Sequence, residues 1–212
     1  MKVQFKLLDT SKDIQNKILQ ALLPDVVSLM NNAVSVIKKN LPDIVLSGIS
    51  AAPEYQSLVG GNLQYELGIP DPANKIGGLL DIWAKNIQYE YTKPTLSNSR
   101  IISKFSASMI KADFSDVLYT DYAMVQDYSR GYSLPWLEWL LLNGSATIIP
   151  FHQVVFGPNP NSRTGFAVMR NVGSEYWKVP SEFAGTIADN WITRSLESVS
   201  PNIQQLVERA FS

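Results

Sequence analysis

The chain contains no cysteine and a single histidine. The first absence excludes thiolate nucleophiles, cysteine-ligated zinc and any disulfide framework, and the second excludes a metal centre built from several imidazoles. Charge is also scarce, at 17% of residues against about 25% in ordinary globular domains. A formal net charge of -1 lacks the broad positive field with which nucleic-acid binders neutralise phosphates, so specific DNA or RNA binding is not expected. Long apolar runs are missing as well. The densest, LPWLEWLLL, is about half of the roughly 20 residues that a bilayer span needs, and it carries Glu138. The opening MKVQFKLLDTSKD turns polar without the apolar run of a signal peptide. The expectation is a soluble protein of a reducing cytoplasm with no membrane partner.

The common catalytic fingerprints are absent too: no GxSxG elbow, GxxxxGKS/T loop, HExxH or GxGxxG pattern occurs. His152, in IIPFHQVVF, stands alone on a predicted strand, where a general base would need a positioned partner and a pocket; a structural or surface role is the expectation. Asp113, Asp116, Asp121 and Asp127 share the stretch ADFSDVLYTDYAMVQDYSR. Their spacing does not match the alternating ligands of a calcium loop, and aspartate is a common turn former, so they read as solvated loop carboxylates. The tyrosines beside them, Tyr119, Tyr122, Tyr128 and Tyr132, suit a sugar or base platform or a protein interface equally. No catalytic, metal-binding or cofactor-binding residue is assigned, and no cofactor is expected.

What is present is an α+β pattern. Thr10 to Asp13 has capping-box form, and Ile14, Ile18 and Leu22 follow at helical spacing. Pro24 and Leu41-Pro42 predict breaks between three N-terminal helices, with Val27, Met30, Val34 and Ile37 marking the second. Gly60-Gly61 predicts a turn or kink, and Ile76, Leu79, Leu80, Trp83 and Ile87 mark a further amphipathic helix. Thr92 to Arg100 reads as a turn and Ile101 to Asp113 as a strand. SLPWLEWLLLN reads as a short buried helix with Asn143-Gly144 as its stop. Candidate strands at Ala146 to Phe156, Gly165 to Arg170 and Glu175 to Val179 predict an antiparallel meander. Two terminal helices follow, one started by Thr186 and Asp189 with Ile187 and Trp191 on one face, the other opened by Ser200-Pro201. The predicted architecture is a mainly helical part over 1–92, then an α+β part over 93–212 with an antiparallel meander and two C-terminal helices, the two parts able to share one core.

Three segments carry a resemblance: PEYQSLVGGNLQYELGIPDP, NSRTGFAVM and WKVPSEFAGTIADNWITRSLE. Together they resemble the neck, or head-to-tail connector, proteins of contractile-tailed bacteriophages. The matching positions are Arg163, Gly165 and Met169 in the hairpin, then Trp177, Pro180, Glu182, Phe183, Ala184, Gly185 and Thr186 in the turn, and Asn190 to Arg194 in the helix. The resemblance implies a non-enzymatic virion protein, made in the host cytoplasm and built into a homo-oligomeric ring of six or twelve copies at the head-tail junction. Its partners would be portal- or adaptor-side and tail-side proteins, with room for channel contact with packaged DNA. Ring closure needs a heterologous interface, and loops on a rigid scaffold suit it. The interface candidates are Asn159, Asn161 and Arg163 in the hairpin and Asp121, Tyr122, Asp127, Tyr128 and Arg130 in the Asp-Tyr stretch. Arg163 against an acidic neighbour is the first pairing to expect. A tail-terminator or tail-completion ring protein is the near alternative. A carboxylate-dependent glycan hydrolase, needing two of the aspartates or Glu138 about 5–9 Å apart in a cleft, is the alternative of another class, and a small-molecule or peptide-binding module with an apolar pocket stays open beside it.

Overall fold

The structure is a computed structural model that describes residues 9–109, 113–127 and 131–212. The fold is α+β, and the chain divides into two compact units, each discontinuous in sequence. The first draws on Met1–Leu41, Gln88–Ser108 and Ile203–Ser212, the second on Pro42–Ile87 and Met109–Asn202. Among the described residues no helix is long and apolar enough to cross a membrane.

Helix α1 (Ser11–Ala51) starts at the expected box: Asp13 accepts from the Thr10 amide at 3.0 Å, and the Thr10 hydroxyl accepts from the Asp13 amide at 3.2 Å. It then runs 41 residues without the predicted breaks, with Pro24 and Pro42 inside it. A proline forfeits one hydrogen bond to the residue four places back, and those residues, Gln20 and Lys38, are both exposed. The freed carbonyls can be hydrated, so proline reads here as an interior residue and not as a stop.

In the first unit, residues 11–41 of α1 lie beside a hairpin of β1 (Gln88–Ser97) and β2 (Arg100–Ser108), paired antiparallel. The turn is Asn98-Ser99, both at positive φ (49° and 56°), the backbone of a two-residue hairpin turn. The stretch expected as a turn, Thr92 to Arg100, is therefore mostly strand. Its misleading residue is Pro94, which sits at the register shift between Thr92 and Thr95, a bulge where a missing amide leaves no gap in the ladder. Three contacts set the hairpin along the helix: the Gln15 side chain donates to the Ser99 carbonyl, the Tyr91 hydroxyl donates to Asn31 at 3.0 Å, and the Lys38 ammonium lies 5.3 Å from the centre of the Tyr89 ring. The spacing is consistent, since Gln15 to Asn31 is about 24 Å of helix and Ser99 to Tyr91 about 26 Å of strand.

The second unit is built on helices α2 (Pro53–Gly60), α3 (Leu63–Glu66) and α4 (Pro72–Lys85), the last part of α1, α5 (Trp136–Leu141) and the first part of α6 (Trp191–Ala210). Gly60-Gly61 ends α2 as expected, the Gly61 amide closing onto the Ser57 carbonyl at 3.1 Å. On α4, Ile76, Leu79 and Trp83 are buried, as their spacing predicts. The Trp83 and Trp191 rings meet edge to face at 5.5 Å, and the Trp191 indole donates to the Ile49 carbonyl at 3.2 Å. Gly48 lets α1 and α6 approach closely, since a Cβ there would stand 2.5 Å from the Val199 side chain. Glu54, the one charged side chain buried among the described residues, is 3% exposed and accepts from Arg194 at 2.6 Å. The described part of the Asp-Tyr stretch is folded as well: Phe114, Val117, Leu118, Ala123 and Val125 are buried, Asp121–Ala123 forms one 3-10 turn, and β3 (Val125–Asp127) pairs with β4 (Tyr132–Leu134).

Two corrections concern the C-terminal half. The expected three-strand meander is a single hairpin, β5 (Ile149–Phe156) against β6 (Ala167–Trp177). NVGS, read as a turn, is an irregularity inside β6: Gly173 at φ 77° faces the register shift at Pro150/His152, where Phe151 has φ 62°. The two expected terminal helices are the single helix α6, with Pro201 inside it. Thr186 and Asp189 do bond, the Asp189 amide donating to the Thr186 hydroxyl at 3.1 Å, but they form the turn before the helix and leave Ile187 exposed. The cap is Asn190, whose side-chain oxygen accepts from the Ile192 and Thr193 amides while the Thr193 hydroxyl accepts from the Asn190 amide.

Candidate functional site

The α3 exit is a tight left-handed ending. The Ile69 amide donates to the Gln64 carbonyl at 2.8 Å, the Gly68 amide donates to the Tyr65 carbonyl at 3.2 Å, and Gly68 has φ 67°, the pattern with which glycine closes a helix. The β5–β6 tip is ordered too: the Asn159 side chain accepts from the Asn161 amide at 2.9 Å, and the Ser162 hydroxyl accepts from the Thr164 and Ala167 amides. The tip turns back on this exit. The Tyr65 and Phe166 rings lie 5.1 Å apart, and a Cβ on Gly68 would stand 3.0 Å from the Arg163 guanidinium.

Between the α3 exit and the hairpin lies a cleft of about 560 Å³, walled by Tyr65, Glu66, Trp139, His152, Arg163 and Met169. A smaller recess of about 250 Å³ shares Glu66 and His152 and reaches Trp177, Glu175 and Lys178. The His152 ring nitrogen Nδ1 is 2.8 Å from the Pro150 carbonyl. A carbonyl only accepts, so Nδ1 carries the proton and Nε2 keeps its lone pair in the neutral ring. Burial pushes the Glu66 carboxyl above its ordinary range; the nearby Trp177 indole pulls it down in part, and Glu182 adds to the rise. Trp177 is 6% exposed, and its N–H makes no hydrogen bond of ordinary geometry. Glu66 has no ion pair among the described residues, whereas the buried Glu54 has Arg194.

Of the expected interface residues, Asn161 and Arg163 are exposed on the hairpin and Asn159 is half-buried. Arg163 is held against its own chain at Gly68 and lines the cleft, so it is not the free projecting residue that its place in a Gly-, Pro- and Asn-rich turn suggests. Asp121 and Tyr122 are exposed on the 3-10 turn, tied down by Lys75, which donates to the Asp121 and Met124 carbonyls, and by the Tyr122 ring over Gly78. Asp127 pairs with Tyr132 in the β3–β4 ladder; Tyr128 and Arg130 lie outside the described residues. Asp113, Asp116, Asp121 and Glu138 do not line the cleft, and among the described residues no three histidine or carboxylate side chains are grouped to hold a metal. Glu66 and His152 were the residues that sequence reading missed as a pair; they are 86 positions apart, too far for any local pattern to join them.

A second surface lies on α1 in the first unit. Ile18, Leu22, Leu29 and Val36 are 54%, 47%, 45% and 41% exposed. Steps of four, seven and seven residues place them within one narrow stripe, the spacing of a coiled-coil seam, about 27 Å long. The buried residues of α1 in this unit, Ala33, Val34, Ile37 and Leu41, lie on a face roughly 100° round the helix from that stripe. No protein-family model, curated protein or solved structure matches the chain.

Proposed function

We propose that the chain is a non-enzymatic structural protein of a tailed-phage virion, a subunit of a ring in the neck that joins the portal side of the head to the tail. The observation that carries this reading is the apolar stripe Ile18–Leu22–Leu29–Val36, which leaves large aliphatic side chains in water along one face of a long helix. Such a seam is stable when a second chain covers it. The segments that carry the neck-protein resemblance have structural work: Asn190 to Arg194 caps α6 and pairs with Glu54, and Ala184-Gly185 packs against Gly144 at the end of α5. They build a frame on which contact surfaces can be displayed.

The test is the symmetry of the purified chain and of the particle that contains it. A closed ring of six or twelve copies, seen by native mass spectrometry and electron microscopy at the head-tail junction, is expected. The double substitution Leu22→Glu/Leu29→Glu should dissociate the ring while leaving the circular dichroism of the subunit unchanged. A monomer at micromolar concentration that is equally absent from virions refutes the reading. A ring seated on the tail tube alone replaces it with a tail terminator.

A further inference from the structure

Among the described residues, four carboxylates of the second unit are out of full contact with water: Glu54, Glu66, Asp116 and Glu138. Asp116 accepts from the Asn86 side chain and Glu138 from the Asn143 side chain, and the other two are treated differently. Glu54, buried at 3% exposure, is closed by the Arg194 guanidinium at 2.6 and 3.1 Å. Glu66, half-buried in the wall of the cleft, has no cation partner among the described residues. A carboxylate withdrawn from water without a counter-charge is costly unless a cation or a proton compensates it. The Trp177 indole N–H lines the same recess, more than nine-tenths buried; it makes no hydrogen bond of ordinary geometry, but it is near enough to Glu66 to lower the carboxyl's pKa in part. Beside both is His152, whose Nε2 is left as an acceptor by the bond from Nδ1 to Pro150. The walls add the aromatic side chains of Tyr65 and Trp139, with Arg163 at the hairpin side.

We propose that this cleft is a socket for a lysine or arginine side chain presented by an extended segment of a partner polypeptide, with Glu66 as its anchor. The chemistry is complementary at each group. A cation donates to the Glu66 carboxylate and to His152 Nε2, neither of which can bind an anion in the neutral-ring state. The aliphatic stem and the charge lie against Tyr65 and Trp139, a favourable setting for a desolvated cation. An ionised Glu66 is held as well by the Trp177 N–H, which already favours the charged form in part. The cleft volume, about 560 Å³, exceeds what one side chain fills and accommodates the flanking backbone. This inference goes beyond the ring reading and does not depend on it, because the socket lies within one unit of a single chain.

The test is a proton NMR titration of the full chain with four capped tripeptides, Gly-Lys-Gly, Gly-Arg-Gly, Gly-norleucine-Gly and Gly-Glu-Gly, and with butylamine. The chain has one histidine, so the His152 ring resonances are identified without ambiguity; the Trp177 indole signal is assigned by its loss in Trp177→Phe. The lysine and arginine peptides should shift both signals saturably, norleucine and glutamate peptides should not, and butylamine should bind more weakly. Glu66→Gln, which keeps the shape and removes the charge, should weaken the basic peptides by about tenfold or more. Norleucine binding as well as lysine would reduce the site to an apolar groove, a preference for the glutamate peptide would make it an anion site, and butylamine binding as tightly as the peptides would remove the polypeptide partner. Each of these, or no saturable shift at all, overturns the proposal. Peptide selectivity is read on the wild-type chain, so the test stands even if Glu66→Gln fails to fold.

Discussion

Arg194→Met tests the electrostatic closure that fixes the start of α6 on α2. Glu54 is 3% exposed, and both of the Arg194 bonds to it are charge-assisted. Removing one partner of a buried pair costs about 3–5 kcal/mol, because the remaining charge keeps its desolvation penalty and loses its attraction. The Arg194 side chain is 33% exposed, so water already offsets part of the interaction and the lower end, about 3 kcal/mol, is expected. The second arm, to Asp189, is 71% exposed on the carboxylate side and contributes at most about 1 kcal/mol. Methionine keeps the stem against α2, so the loss reports charge and not volume. Urea denaturation followed by tryptophan fluorescence measures it; in a heat ramp the same loss is roughly 6–12 °C for a chain of this size. The cycle is closed with Glu54→Gln/Arg194→Met, which should be more stable than Arg194→Met alone because no orphan charge remains. A loss under about 1 kcal/mol in the single variant, or a double variant as unstable as the sum of the singles, refutes the reasoning.

Gly185→Ala places a Cβ 2.5 Å from the Leu140 carbonyl oxygen, and overpacking against backbone should cost about 1–3 kcal/mol or more, read from the urea midpoint. Trp191→Ala empties a fully buried site against Trp83 and should cost about 3–5 kcal/mol, a loss that unchanged denaturation would contradict. Pro24→Ala restores an amide donor inside α1, and its exposed site carries no packing to lose; a gain of about 1–3 kcal/mol in local helix stability should appear as slowed amide exchange around residue 24. The Glu66 carboxyl is raised from 4.5 chiefly by burial, so the folded chain holds that proton to higher pH than the unfolded chain does. Stability contributed by the neutral form is present below about 4.5 and lost as pH rises through the folded value. Glu66→Gln should therefore gain on the wild type across that window and keep a constant difference below it, as read from urea midpoints against pH.

Local signals were legible where a few neighbouring residues decide the backbone. The Thr10–Asp13 box, the Gly60-Gly61 stop, the apolar face of α4 and the α5 stop at Asn143-Gly144 all formed as their residue chemistry requires. The misreadings share one cause, a local signal overruled by its surroundings. Pro24, Pro42 and Pro201 lack a donor, yet each lies in a helix that continues past it. Pro94 sits at a bulge, and Gly173 bends β6 without ending it.

The sequence by itself determined the α+β class, some helix ends, the buried tryptophans and the absence of cysteine chemistry, because composition, periodicity and capping act over a few residues. Tertiary structure alone decided which polar groups meet. Glu54 with Arg194 are 140 positions apart, and Glu66 with His152 are 86 apart. No periodicity spans such separations. Whether a glutamate is closed by an arginine or left open in a cleft depends on how α2, α3 and the β5–β6 hairpin pack, and packing is a property of the whole second unit.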